Sequence, residues 1–155
     1  MKPLTIYLAG PISGLSYEEV THRYSYYVPK LEALGFNVMF PMAAKGYLRN
    51  ESRFESHGYN DNPITTDRAI VGRDRWMVNQ SDIVIADLSN AKIISMGTLF
   101  EIAWGHLMGK YVIIVMKNDN IHQHSFVLES SDATIDTMED VLAYLKDFSS
   151  GLLAL

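Results

Sequence analysis

Two solidly apolar runs, DIVIADL at 82–88 and YVIIVM at 111–116, constrain the fold of this chain more than any other feature. A strand that is apolar at every central position has no face left for water, so both its faces must lie against other elements. A third short run, Leu4 to Ala9, ends in Gly-Pro, and a fourth, Phe36 to Phe40, is closed by Pro41. Helical patterns separate them, at Tyr17 to Leu34 (with Pro29 inside and Gly35 as its stop), Thr65 to Gln80, Ser95 to Met108 (closed by Gly109) and Thr137 to Phe148. Thr134 and Ile135 offer a fifth strand. Strands alternating with helices form βαβ units. The expected fold is therefore α/β, a doubly wound, flavodoxin-like (Rossmann-like) parallel five-stranded sheet with helices on both faces. The chain has 155 residues. That length suits a single domain spanning 1–155.

In such a sheet the site lies beyond the carboxyl ends of the strands, where the strand order reverses. The loops after the first and third strands are the places to look. Gly10, Ile12, Ser13 and Gly14 lie on the first, and Asp87, Asn90 and Ser95 at or after the end of the third. The first loop lacks the Gly-Lys-Ser/Thr ending of a P-loop and is not a dinucleotide fingerprint. Residues 42–64 form a long polar stretch of the kind that often carries function.

The helix from Ser95 is the most informative segment. Met96, Leu99, Phe100, Ala103, Trp104 and Leu107 recur with helical spacing, as a stripe expected to face the core. Glu101 lies off that stripe, with Gly97 and Gly105 one turn away on either side. Two positions without side chains leave a channel in which a ligand can approach the carboxylate. Spacing alone leaves the bland alternative open, that Glu101 is a solvated surface residue. Ser95 is a good N-cap, and the first-turn amides and helix dipole attract an anion. Gly97 to Glu101 is roughly 6 Å of helix rise, comparable to a pentose ring.

Composition narrows the function. The formal charge is −5 with no basic block, so nucleic acid is not the expected partner. The absence of cysteine excludes thiolate chemistry and disulfides and suits a cytoplasmic protein. No segment is long and apolar enough for a membrane span or a leader. His122-x-His124 has no third ligand nearby, so no metal is expected. His57 stands alone.

Thr5-Ile6-Tyr7, Asp74, the Asp82-to-Ala86 strand and Ser95-x-Gly97-x-x-x-Glu101 together resemble the nucleoside 2-deoxyribosyltransferase family, which includes nucleoside 5′-monophosphate N-glycosidases. The resemblance implies that Glu101 attacks C1′ of a (deoxy)nucleoside or its 5′-monophosphate and forms a covalent glycosyl–enzyme intermediate. It implies that Tyr7 orients that carboxylate and that Asp74 binds the base and assists protonation of the leaving nitrogen. No cofactor is implied. Members acting on free nucleosides carry an acidic residue in the loop before the catalytic helix. Here that loop ends in Ser95, which leans toward a 5′-monophosphate and a hydrolase. Lys92 offers it positive charge. The family further implies a homodimer, or a multiple of dimers, with His124 or Ser125 reaching a neighbour's substrate. Aromatics such as Tyr17, Tyr24, Tyr26, Tyr27, Tyr47, Phe54 and Tyr59 are candidate base-stacking groups, with Phe40-Pro41-Met42 as a pocket wall. A non-catalytic nucleotide sensor, a glycohydrolase acting on a nicotinamide dinucleotide and an empty flavodoxin-like scaffold are the rival readings.

Overall fold

The computed structural model describes residues 2–43, 49, 53–55 and 62–153, the last two by backbone alone. His57, Tyr47 and Tyr59 lie outside the described residues, as does most of the long polar stretch. The elements run β1 (Thr5–Ala9), α1 (Tyr17–Ala33), β2 (Asn37–Met39), α2 (Asp67–Gln80), β3 (Ile83–Asp87), α3 (Met96–Leu107), β4 (Tyr111–Val115), α4 (Ser125–Leu128), β5 (Ala133–Ile135) and α5 (Met138–Leu153). The short helix α4 is an addition to the elements expected from sequence. Pro29 sits inside α1 without ending it.

The sheet has the order β2-β1-β3-β4-β5, and every pairing is parallel. The fold is the expected doubly wound one. Alternate residues of each strand feed opposite cores. Ile6, Leu8, Ile83, Ile85, Ile113 and Val115 pack against α1 and α5. Tyr7, Ala9, Val84, Ala86, Val112 and Ile114 face α2, α3 and α4. The order reverses between β1 and β3, so the loops following these two strands flank the switch point.

The chain punctuation follows from local chemistry. Ser16 and Glu19 form a reciprocal capping box that starts α1. Gly14 has φ +84, which an L side chain rarely adopts, and its turn carries the chain from β1 into α1.

Helix α3 sits the other way round from its periodicity. Its buried face is Thr98, Glu101, Ile102 and Gly105. The apolar stripe expected in the core points outward, with Met96 61%, Phe100 54% and Leu107 82% exposed and Ala103 exposed beside them. Only Leu99 and Trp104 of that stripe are half-buried. The physical reason is close packing. A Cβ on Gly105 would lie 3.0 Å from Val84 Cγ2 and 3.1 Å from Val112 Cγ2, so a larger residue there would force these valines or the helix to give way, and glycine lets the helix backbone sit this close to β3 and β4. Gly105 is thus a packing residue rather than one side of a channel. Gly97, whose Cβ would meet nothing within 4 Å, keeps the open space expected of it.

Candidate active site

Turning the polar face of α3 inward brings Glu101 against β1. Glu101 is 6% exposed, and its Oε1 accepts a hydrogen bond of 2.5 Å from the Tyr7 hydroxyl. That length is typical of a hydroxyl bonded to a carboxylate. Tyr7 is fully buried on the central strand, so its ring cannot drift and the hydroxyl is a fixed donor. Burial pushes the Tyr7 pKa well up, and the negative charges of Glu101 and Asp74 push it further. The phenol therefore keeps its proton and serves as a permanent donor.

Asp74 joins this group from α2. It is buried rather than exposed, and its charge is near enough to act on Tyr7. The side chain of Arg73 holds Asp74 Oδ1 through Nη2 at 3.0 Å and also donates from Nη2 to the Pro41 carbonyl at 3.0 Å. The ion pair with Arg73 is thus present, and it anchors the carboxylate to the chain just after β2. The structure gathers all three candidate catalytic residues on the α2–α3 side of the sheet.

The candidate substrate-binding residues divide. Ser95 occupies the N-cap position of α3 without capping through its side chain. Its hydroxyl pairs with Thr98 Oγ1 at 2.9 Å, and its backbone amide donates to His122 Nε2 at 2.9 Å. The amides of Met96, Gly97 and Thr98 open the helix, at the positions where a helix has no intrahelical acceptor to offer. In the first loop the Gly14 amide donates to the Phe54 carbonyl at 3.0 Å, so this residue binds the chain rather than a ligand through that group. Phe54 itself is core, edge-on to Tyr17. Ile12 packs its side chain against the α1 core, and its carbonyl accepts from the Leu15 amide at 3.2 Å. Ser13 is half-buried on the same turn.

Gly10 is required for packing. A Cβ there would sit 2.8 Å from Arg23 Cζ. Asp87 faces the α1 side of the sheet, opposite to Glu101. It forms a buried ion pair with Arg23 at 3.3 Å and accepts from the Ser89 amide at 3.1 Å. Its carboxylate braces the fold instead of lining the Glu101 site. Asn90 is exposed on the α1 side, in a cleft shared with Arg23, His22 and Lys92. Lys92 pairs with Glu19 at 2.7 Å on the surface. Phe40 stacks on Tyr24, with ring centroids 4.8 Å apart, and Met42 is core. His124 and Ser125 are exposed at the start of α4, where His124 Nδ1 caps the Phe126 amide at 3.2 Å.

Two residues of this neighbourhood escape sequence reasoning. Arg23 is read from sequence only as part of a helix, although a buried arginine just after a Gly-Pro loop demands a carboxylate partner. His122 is weighed in the sequence only as a metal ligand, whereas its ring faces Ser95.

The sequence profile described as nucleoside 2-deoxyribosyltransferase matches residues 6–142. None of the curated proteins matches the sequence. Among solved structures, a 2-deoxyribosyltransferase from the psychrotolerant bacterium Bacillus psychrosaccharolyticus is similar, with 20% identity and a TM-score of 0.64 over 91% of this chain and 95% of that one. The Clostridium botulinum CMP N-glycosidase BcmB is similar with 18% identity and a TM-score of 0.59, over 93% of this chain and 98% of that one. At these identities the likeness is one of fold.

Proposed function

Because the chain belongs to the nucleoside 2-deoxyribosyltransferase family, we propose that it cleaves or exchanges the N-glycosidic bond of a nucleoside 5′-monophosphate through a covalent intermediate on Glu101. The observation that carries this reading is the buried Tyr7–Glu101 hydrogen bond beside Asp74. A solvated helix carboxylate has no reason to be turned under the sheet and matched with a fixed phenol.

In the first step a Glu101 carboxylate oxygen forms a bond to C1′ while the C1′–N bond breaks. The electron pair leaves with the base, whose nitrogen takes up a proton. The developing oxocarbenium charge lies beside a buried carboxylate, where electrostatic stabilisation is stronger than in water. Tyr7 holds the carboxylate at one angle, so less freedom is lost on reaching the transition state. Asp74, fixed by Arg73, receives the base and assists its protonation. In the second step the oxygen of water or a nitrogen of another base bonds to C1′ as the C1′–Glu101 bond breaks, and the proton of the attacking group passes to solvent or to the Asp74 carboxylate. Water makes the enzyme a hydrolase, a base makes it a transferase.

The lean to a monophosphate comes from the start of α3. The dipole and first-turn amides of a helix favour an anion, and Ser95 stands there in place of an acid. The BcmB structure is described as that of a CMP N-glycosidase, which accords with such a substrate. The test compares base release, separated by chromatography, from a panel of deoxynucleosides and their 5′-monophosphates with and without a second base. The monophosphate is expected to give at least about tenfold higher kcat/KM, the effect of one good charge-assisted contact. Equal values for the two substrates remove the phosphate assignment, and no base release from any substrate removes the enzyme reading.

The outward stripe of α3 supports a homodimer with shared sites. Met96, Phe100 and Leu107 are exposed on α3, and Trp76 and Phe126 are exposed on α2 and α4, the helices that pack against it. Clustered exposure of this kind marks an interface. Leu107→Asp is expected to convert a dimer to a monomer in sedimentation velocity. A monomeric wild-type protein, or an unchanged dimer in the variant, contradicts this face as the contact.

A further inference from the structure

His122 lies between β4 and α4, is 3% exposed, and has both ring nitrogens engaged. Its Nε2 accepts the Ser95 backbone amide at 2.9 Å, and its Nδ1 lies 3.0 Å from Asn120 Oδ1. A backbone amide only donates. Nε2 must therefore present its lone pair, and the ring proton sits on Nδ1, donated to Asn120. Asn120 accepts the His122 backbone amide as well, at 2.9 Å, and donates from Nδ2 to the Leu88 carbonyl at 2.8 Å. A continuous hydrogen-bonded path thus runs from the end of β3 through Asn120 and His122 to the residue that opens α3. Burial lowers the His122 pKa and so favours the neutral ring that this path requires.

The path matters because Ser95 does not fix the helix start by itself. Its side chain caps no first-turn amide and pairs instead with the Thr98 hydroxyl. The direction of the Met96, Gly97 and Thr98 amides is set by where Ser95 is held, and His122 holds it. Gly97 leaves open space above this turn. We propose that His122 is a positioning residue, a neutral imidazole acceptor that locks Ser95 so that the first turn of α3 receives the substrate's 5′ anionic group. The inference rests on the glycosyl-transfer reading and adds to it a residue that touches no substrate. It also assigns the Ser95 amide to His122, leaving phosphate recognition to the three amides that follow.

The test uses wild type, His122→Ala and His122→Gln. Glutamine places its Oε1 near the position of Nε2 and can accept the Ser95 amide. His122→Ala is expected to raise KM for a deoxynucleoside 5′-monophosphate about tenfold with kcat nearly unchanged, to leave KM for the free nucleoside alone, and to be largely rescued by glutamine. Calorimetric binding of 2-deoxyribose 5-phosphate is measured in parallel and needs no turnover. The same weakening and the same rescue are expected there. Asn120→Ala, which removes the acceptor of the ring proton, carries the same expectation if His122→Ala does not fold. Equal KM changes for both substrates, unchanged affinity for the sugar phosphate, failure of glutamine to rescue, or no binding of the sugar phosphate by wild type overturns the role of His122. Absence of base release with sugar phosphate binding intact overturns the catalytic reading and leaves this one standing.

Discussion

Glu101→Gln is expected to abolish base release while leaving a folded protein. The substitution keeps the length and shape of the side chain, and its amide oxygen still accepts the Tyr7 proton, so the hydrogen bond of 2.5 Å is weakened without leaving the Tyr7 hydroxyl unpaired. What disappears is the negative charge and the nucleophile. Both steps need it. The first needs an anion to bond to C1′, and the second needs a carboxylate leaving group. Losing a covalent nucleophile costs about 10³-fold or more in kcat, because neither the oriented base nor the helix start replaces the bond it makes. The melting temperature of the variant should stay within a few degrees of wild type, which separates a chemical loss from a structural one. A rate within about tenfold of wild type would mean that Glu101 does not bond to the sugar.

Arg23→Met is the largest expected stability loss. Arg23 and Asp87 are 5% and 2% exposed, with Nε 3.3 Å from Oδ2, and Arg23 Nη1 also donates to the Pro11 carbonyl at 3.0 Å. The Nε contact is an ion pair without hydrogen-bond alignment, so its strength is Coulombic. Removing the guanidinium strands a carboxylate in the core at the end of the central strands. Breaking such a pair costs about 3–5 kcal/mol. For a chain of this size each kcal/mol lowers the melting temperature by about 2–4 °C, so a drop of about 6–20 °C is expected in calorimetry. The double variant Arg23→Met with Asp87→Leu should recover most of it, since a matched apolar pair carries no stranded charge. A single variant as stable as wild type, or a double variant no better than the single, would show that the pair does not brace the two loops. The Arg23 contact with Pro11 also predicts that the loop after β1 loosens in the single variant, so activity falls along with stability.

The two contacts explain what sequence could and could not disclose. The sheet was readable because strands such as YVIIV are apolar on both faces, and two-sided burial leaves no other arrangement. The orientation of α3 was not. A hydrophobic stripe normally marks the core, and here Gly105 and the Tyr7–Glu101 bond outweigh it, through a backbone approach and a partner 94 residues distant that no periodicity encodes. The same outward stripe is the face proposed above for the contact between subunits. Helix spacing alone singles out Glu101, whereas Tyr7 and Asp74 are readable only through family resemblance; the structure brings all three to one side of the sheet. Strand parity puts Asp87 on the opposite side of the sheet from Tyr7, next to Arg23, and that pairing across 64 residues is not encoded in any local pattern. His122 was hidden by its neighbour His124, a spacing that suggests metals, while its true partner is a main-chain amide that sequence patterns do not mark.

The chemistry at Glu101 is tested most directly by mass spectrometry of protein quenched during turnover of a deoxynucleoside 5′-monophosphate, or of a 2-fluoro analogue whose second step is slowed. The account predicts a glycosyl mass increase confined to the peptide that contains Glu101, absent in Glu101→Gln. Sustained base release with that peptide unmodified, or an adduct on another residue, contradicts it.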